Sequence, residues 1–179
     1  MTDIQPLDTP LWAFTLVVYG SAGVAQECLD LQDSYELDVN LLLFAAYMGA
    51  SEGVQLSTDD IAAAFDVAAP WNSDVVRTLR EARRALVPMS TDEKDPLRPP
   101  ASSLRAQVKN AELNAEKIEQ AMLWTWAQHQ FEKRQRGDRD EALAANLTAV
   151  LTFYRTDSRE EASIPRLREA ATRYTRMKH

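Results

Sequence analysis

Apolar positions along this 179-residue chain recur every three to four residues, in stretches separated by Gly, Pro and helix-capping residues. That is the period of helices packed by one face. Nowhere does the sequence sustain a two-residue alternation between hairpin turns, and Ile is scarce, so a sheet has little support. The pattern predicts an all-α protein, a single-domain helical bundle of seven to eight helices.

Taken in order, Thr9 and Pro10 read as the cap and first residue of a helix that runs to Gly20. A second helix covers about Ala22 to Tyr35, with Val24, Cys28, Leu31 and Tyr35 as its apolar stripe. Asp38 then caps a central helix, about 38–49, that is apolar nearly all round and therefore buried, with Gly49 as its left-handed stop. The box Ser57-x-x-Asp60 opens a fourth helix carrying Ile61, Ala64 and Phe65. A fifth follows Pro70-Trp71-Asn72 and runs from about Ser73 to Val87, with Arg77, Arg80 and Arg84 on one face. Pro88, Pro96, Pro99 and Pro100 mark residues 88–102 as a flexible loop and candidate hinge. Beyond it lies a long helix, about 103–134, whose stripe Leu104, Val108, Ala111, Ala115, Ile118 and Met122 is a seam for pairing, flanked by Glu112, Glu116 and Glu119. Asp138 and Glu141 open a seventh helix to about Tyr154. The last follows Ser163, with Pro165 in its first turn and Leu167, Ala170, Ala171, Tyr174 and Met177 as its stripe. Residues 1–155 are thus the bundle, and 156–179 a basic C-terminal helix, docked on it or arm-like.

Charge changes this picture. The net charge is −7, but residues 1–76 contain no Lys or Arg and twelve carboxylates, a charge of −12; the rest carries 20 basic and 15 acidic side chains, or +5. Such a split points to a charged partner or to one half docking on the other. Free nucleic acid is repelled by the first half. The lone Cys28 forms no internal disulfide, and the acidic, Pro-punctuated start has no signal-peptide character, so a cytoplasmic setting is expected. The uncharged run from Val39 to Ala50 is about a dozen residues, short of the roughly 20 needed to cross a bilayer, so no membrane span is expected.

The stretches FTLVVYGSAGVAQECLDLQDSYELDVNLLLFAAYMGA, PWNSDVVRTLREARRAL and LRAQVKNAELNAEKIEQAML resemble a family of short bacterial proteins, common in proteobacteria and described as a domain of unknown function. The likeness covers roughly residues 11 to 125, and its most specific piece is LQD followed by DVNLLLF. The resemblance implies a helical fold and a bacterial cytoplasmic setting, and it brings no activity, cofactor or site residue. It also implies Gly near position 36 and Trp near position 47, where this chain has Glu36 and Tyr47.

Candidate chemistry is concentrated in two places. Asp30, Asp33 and Asp38 stand where Arg77, Arg80 and Arg84 can face them across the bundle. This is either an ion-pair and capping network or a polar pocket whose Arg forks hold a carboxylate or phosphate. Asn40, in an otherwise apolar helix, must find a hydrogen-bond partner: neighbouring backbone, Asp38 and Gln32, or a ligand. The second place is the C-terminal helix with Arg166, Arg168, Arg173, Arg176 and Lys178, patterned for a partner, an anionic surface or the acidic half of the same molecule.

No catalytic set is complete. Glu-x-x-His pairs for a dimetal bundle are missing, the only histidines are His129 and His179, and Asp30-Leu-Gln-Asp33 is a single sparse aspartate match. Cys28 sits on an apolar stripe with no His beside it, and no Gly-rich phosphate loop occurs. No catalytic residue, metal or cofactor is therefore assigned. The expected role is non-catalytic, adaptor or regulatory, through protein–protein interaction or self-association along helix 103–134. One alternative is a small-molecule-binding protein or enzyme with a pocket of Asp33, Asp38, Asn40 and Arg77 or Arg80. The other is a nucleic-acid-associated protein acting through the basic C-terminal helix.

Overall fold

A computed structural model describes residues 7–154 and 164–177, and every regular element among them is helical. Helix α1 (Pro10–Tyr19) begins as its residues dictate: the Thr9 hydroxyl accepts the Trp12 N–H at 3.1 Å, and Pro10 occupies a position whose N–H has no intrahelical partner anyway. α2 (Val24–Tyr35) buries Val24, Cys28 and Leu31. α3 (Val39–Ala50) is capped by Asp38, whose Oδ1 accepts from the N–H of Asn40 at 2.8 Å. Every residue from Asn40 to Ala50 is buried. A helix without a polar face has none to give to water, which places α3 at the centre.

α4 (Thr58–Trp71) starts at the expected box, with Ser57 and Asp60 each bonding the other's backbone N–H. The break expected at Pro70 does not occur. The helix runs through Pro70 and opens into a π segment (Asn72–Arg77) before returning to α-geometry in α5 (Thr78–Ala85). Pro has no N–H to give and its ring crowds the turn before it. Widening the next turn is one way a rod absorbs that defect, and it re-aims the side chains that follow.

Nor is 88–102 a loop throughout. α6 (Val87–Thr91) and the start of α7 (Arg98–Gln130) fill it, with Pro88 in the first turn of one and Pro99 and Pro100 in that of the other. The short turn between them is pinned by Asp92 and Asp95, which accept from the N–H groups of Lys94 and Leu97 at 2.9 and 2.8 Å. α7 is also rotated from the expected seam. Leu104 and Ala111 are exposed, whereas Ala101, Glu112, Ala115, Glu119, Gln120, Leu123 and Ala127 face inward. Two glutamates can lie on the buried face because other helices supply their partners.

α8 (Arg139–Tyr154) begins at Asp138, whose Oδ1 accepts the Glu141 N–H at 2.9 Å, and it covers α3. Gly49 makes this possible, in a role other than the one expected. It is not left-handed: positive φ among the described residues belongs to Gly23, Gly53 and Glu36. A Cβ on Gly49 would sit 2.5 Å from the backbone of Leu143, so only glycine lets the two helices touch. Alongside it, buried Asn146 accepts from Leu56 N–H at 2.7 Å and donates to the carbonyls of Ala45 and Val54 at 3.1 and 2.9 Å. α9 (Pro165–Met177) packs on α1, α2 and α3, with Leu167, Ala170, Ala171 and Tyr174 buried, Tyr174 edge-on to Phe14 and Met177 exposed.

The charge split is answered within the molecule. Asp8, Asp33, Glu36, Glu52 and Asp60 pair with Lys117, Arg84, Arg77, Arg136 and Arg134 respectively, each an acid of the first 76 residues against a base of the remainder. Glu27 adds a sixth bridge by accepting the backbone N–H groups of Arg166 and Leu167 at 3.1 and 2.8 Å, at the positive end of α9.

Candidate functional site

The turn from α2 into α3 faces the π segment and α5, and an open cleft of about 190 Å³ lies between them. Gln32, Asp33 and Glu36 form one wall, Arg77, Arg80, Glu81 and Arg84 the other, and Asp38 and Asn72 the floor. Glu36 holds the corner in the left-handed conformation, φ 52°, where the resemblance implied glycine. Its backbone carbonyl accepts from Arg77 Nη2 at 3.0 Å, and its carboxylate lies 3.8 Å from the same guanidinium. Arg84 Nη2 donates to Asp33 at 3.1 Å across the mouth. Deeper, Arg80 donates to Glu112 at 3.0 Å and to Glu116 at 2.9 Å, and Arg83 also bonds Glu112.

Behind the floor, buried polar groups form one connected chain. Arg77 Nε donates to Asn72 Oδ1 at 3.1 Å, and Asn72 Nδ2 donates onward to both oxygens of Glu119 at 3.3 Å. Asn40 Nδ2 reaches Glu119 from the other side at 2.9 Å. Gln120 then donates to Asn40 at 2.9 Å and accepts from the Thr15 hydroxyl at 2.8 Å. Four elements, α1, α3, the π segment and α7, are tied to one unexposed carboxyl group, and such fully satisfied networks rigidify what stands on them. The amides have no freedom to flip, because each both donates and accepts along the chain.

Charge here is set by burial. Burial drives Glu119 up to about 10; the Asp38 carboxylate beside it and a hydrogen bond with Asp38 act the same way, against the Asn40 and Asn72 donors. Glu119 is therefore protonated at neutral pH. Glu112 is the opposite case: burial pushes it up, but the bonds from Arg83 and Arg80 outweigh burial and hold it below the ordinary glutamate value. Glu116 is raised, chiefly by burial. The Tyr154 hydroxyl is raised by burial and by Asp38 nearby.

Of the residues expected from sequence, Asp33, Asp38, Arg77, Arg80 and Arg84 converge on the cleft. Asp30 does not. It is exposed, about one helical turn along α2 from Asp33 and away from the cleft at the helix's C-terminal end, and it accepts from Gln26 one turn back at 2.8 Å. Asn40 lies behind the floor rather than in the lining; its backbone N–H goes to the Asp38 cap, but the partners of its side-chain amide are Glu119 and Gln120. Sequence reasoning missed Asn72 and the inward glutamates. Glu112 and Glu119, seven apart with Ala115 between and Leu123 beyond, do share a face, which is the signal that was available.

The basic helix is distributed differently. Arg166 packs against Gly23, where a Cβ would meet its side chain at 2.7 Å, and Arg173 pairs with Glu169 one turn away. Arg168 and Arg176 are exposed, and Lys178 lies outside the described residues. Cys28 is buried, and its thiol is pushed up to about 12 by burial and by Glu27. Among the described residues no group of three or more His, Cys, Asp or Glu could hold a metal ion, and no helix is long and apolar enough to cross a membrane.

No curated protein and no solved structure matches the chain. A family model does, described as "Protein of unknown function (DUF2390)", over residues 10–123. That span contains every residue of the cleft and of the network behind it, and stops before α8 and α9. Because the match takes in well over half of the 179 residues, the chain belongs to the DUF2390 family.

Proposed function

We propose that this protein is a cytoplasmic binding protein for a small organic anion, held by its carboxylate or phosphate in the cleft between α2 and the π–α5 rod. The observation that carries this reading is the convergence of Arg77, Arg80 and Arg84 opposite Asp33 and Asp38 in one solvent-reachable cleft. A guanidinium has five N–H donors, and bonds to protein groups engage two on Arg77, two on Arg80 and one on Arg84. The donors left over suit bidentate recognition of an acid group. The facing Asp33 and Asp38 suit a hydroxyl or amine on the same ligand.

Size narrows the class. A cleft of about 190 Å³ suits a small acid rather than a drug-sized or larger ligand enclosed within it. Binding is favoured over catalysis because Glu119, the one strongly shifted acid of the network, is fully buried and does not line the cleft.

Calorimetric titration with succinate, phosphoserine and inorganic phosphate tests this, comparing the natural chain with the double variant Asp33→Asn/Arg84→Gln. That exposed pair is chosen because its loss leaves the interior untouched. At least one acid should bind and lose about tenfold in affinity in the variant. No binding by any of the three, or binding indifferent to the variant, refutes the proposal.

A further inference from the structure

A second concavity shares no lining residue with the cleft. It is a groove of about 610 Å³ between α8 and α9, with Ala144, Leu147, Thr148 and Leu151 along one side and Arg168, Arg173 and Arg176 along the other. Across α8 is a shallower hollow of about 570 Å³, and Ala144 and Thr148 line both. From 144 to 149 the exposed edge of α8 is therefore a low ridge of Ala and Thr with a depression on each side. Thr148 turns its hydroxyl back to the Ala144 carbonyl at 2.9 Å, and Thr152 does the same to Thr148 at 2.8 Å, so both present methyl groups outward.

Small side chains at helical spacing let a second helix approach closely. By itself such a ridge names no occupant. The arginines do. The side chains of Arg168 and Arg176 make no hydrogen bond or ion pair among the described residues, and that of Arg173 is engaged by Glu169, the single acid of the groove. Five bases of the later part of the chain are matched to acids of the first 76 residues, whereas this wall gathers three arginines around one acid, two of them without an ion pair among the described residues. At 1.5 Å per residue, Ala144 to Leu151 and Arg168 to Arg176 run for about 10 and 12 Å, some two helical turns.

We propose that the α8–α9 groove docks an amphipathic helix of a partner protein, small and apolar on the face that meets Ala144 and Thr148 and acidic on the face that meets Arg168, Arg173 and Arg176. This is helix-in-groove recognition with the partner's charge specified. It gives the basic C-terminal helix a protein partner rather than a nucleic acid, since the ridge is shaped for side chains and carries no aromatic platform for bases.

The test is fluorescence anisotropy on the full chain, with a labelled 15-residue amphipathic helical peptide carrying Leu and Ala on one face and Glu on the other, against the same peptide with Gln for Glu. The Glu peptide should bind at least about tenfold more tightly and weaken as salt rises. Arg168→Glu/Arg176→Glu should abolish the preference. Thr148→Trp, which fills the groove from an exposed position, should weaken binding about tenfold, with the circular dichroism of both variants unchanged. Equal affinity for the two peptides, or full binding by Thr148→Trp, overturns the proposal. So does a dimer in sedimentation that Thr148→Trp dissolves, which would make the occupant a second copy. Binding of single-stranded RNA through the same arginines with no peptide binding overturns it in favour of nucleic acid.

Discussion

Glu119 is a fully buried carboxyl group whose protonated form the fold selects, and replacing it by glutamine isolates that selection. Gln keeps the shape and an acceptor for Asn40 or Asn72, and its amide N–H₂ replaces the carboxyl proton toward Asp38. It cannot ionise. In the unfolded chain Glu119 titrates near the ordinary value of 4.5, and in the folded chain near 10. A folded value raised above the unfolded one means that the native state holds the extra proton. The associated stability is complete below about pH 4.5 and falls as pH rises toward 10. The slope approaches about 1.4 kcal/mol per pH unit once the unfolded group has ionised, so between pH 5 and pH 7 Glu119 costs the natural chain roughly 2–3 kcal/mol. For a domain of this size that corresponds to about 5–10 °C in Tm. Thermal unfolding of both proteins from pH 5 to pH 8 should show Glu119→Gln gaining on the natural chain by that amount per two units. Parallel curves would refute the reasoning and make Glu119 an ordinary ionised carboxylate.

Other positions give simpler expectations, each read from urea unfolding. Gly49→Ala drives a methyl into the Leu143 backbone at 2.5 Å and should cost about 3 kcal/mol, since neither helix can move without opening the core. Asn146→Leu preserves volume but strands the Leu56 N–H and the Val54 carbonyl, again for about 3 kcal/mol. Glu36→Gly should stabilise. The left-handed corner costs a side-chain-bearing residue about 1–2 kcal/mol, and glycine's greater freedom when unfolded returns about 0.5–1 of that, for a net gain of about 0.5–1. The Arg77 bond to this residue survives because it is made to the backbone carbonyl.

Local chemistry was legible wherever one residue decides one geometry. Thr9 with Pro10, Asp38, the Ser57–Asp60 box and Asp138 each start a helix at the residue that their side chains imply. The centrality of α3 was equally plain, since an apolar surface all round permits one location. Longer-range choices were not. Pro70 reads as a break because its effect on its own turn is local, whereas the π segment that absorbs it is held by Asn72 and Trp71 reaching Glu119 and Ala115 on another helix. α7 was misphased for the same reason. Its leucines mark one face and its glutamates another, and burying the glutamates is favourable only with Arg80, Arg83, Asn40 and Asn72 already in place. The cleft is legible in part: charge and spacing name Asp33, Asp38 and the arginines, but they mark the hidden carboxyl of Glu119 only as a flank of the α7 seam.

The dependence of α3 on α8 has a temporal side. The helix that fills the centre is made early, and the helix that covers it through Gly49 and Asn146 begins about 100 residues later. At a synthesis rate of about 5–20 residues per second, α3 waits some 5–20 s with its apolar surface uncovered by its main partner. Closure by α8 is thus a late event in the nascent chain. A ribosome stalled before residue 139 would hold out a sticky, unfinished bundle, the kind of species that chaperones and proteases sort.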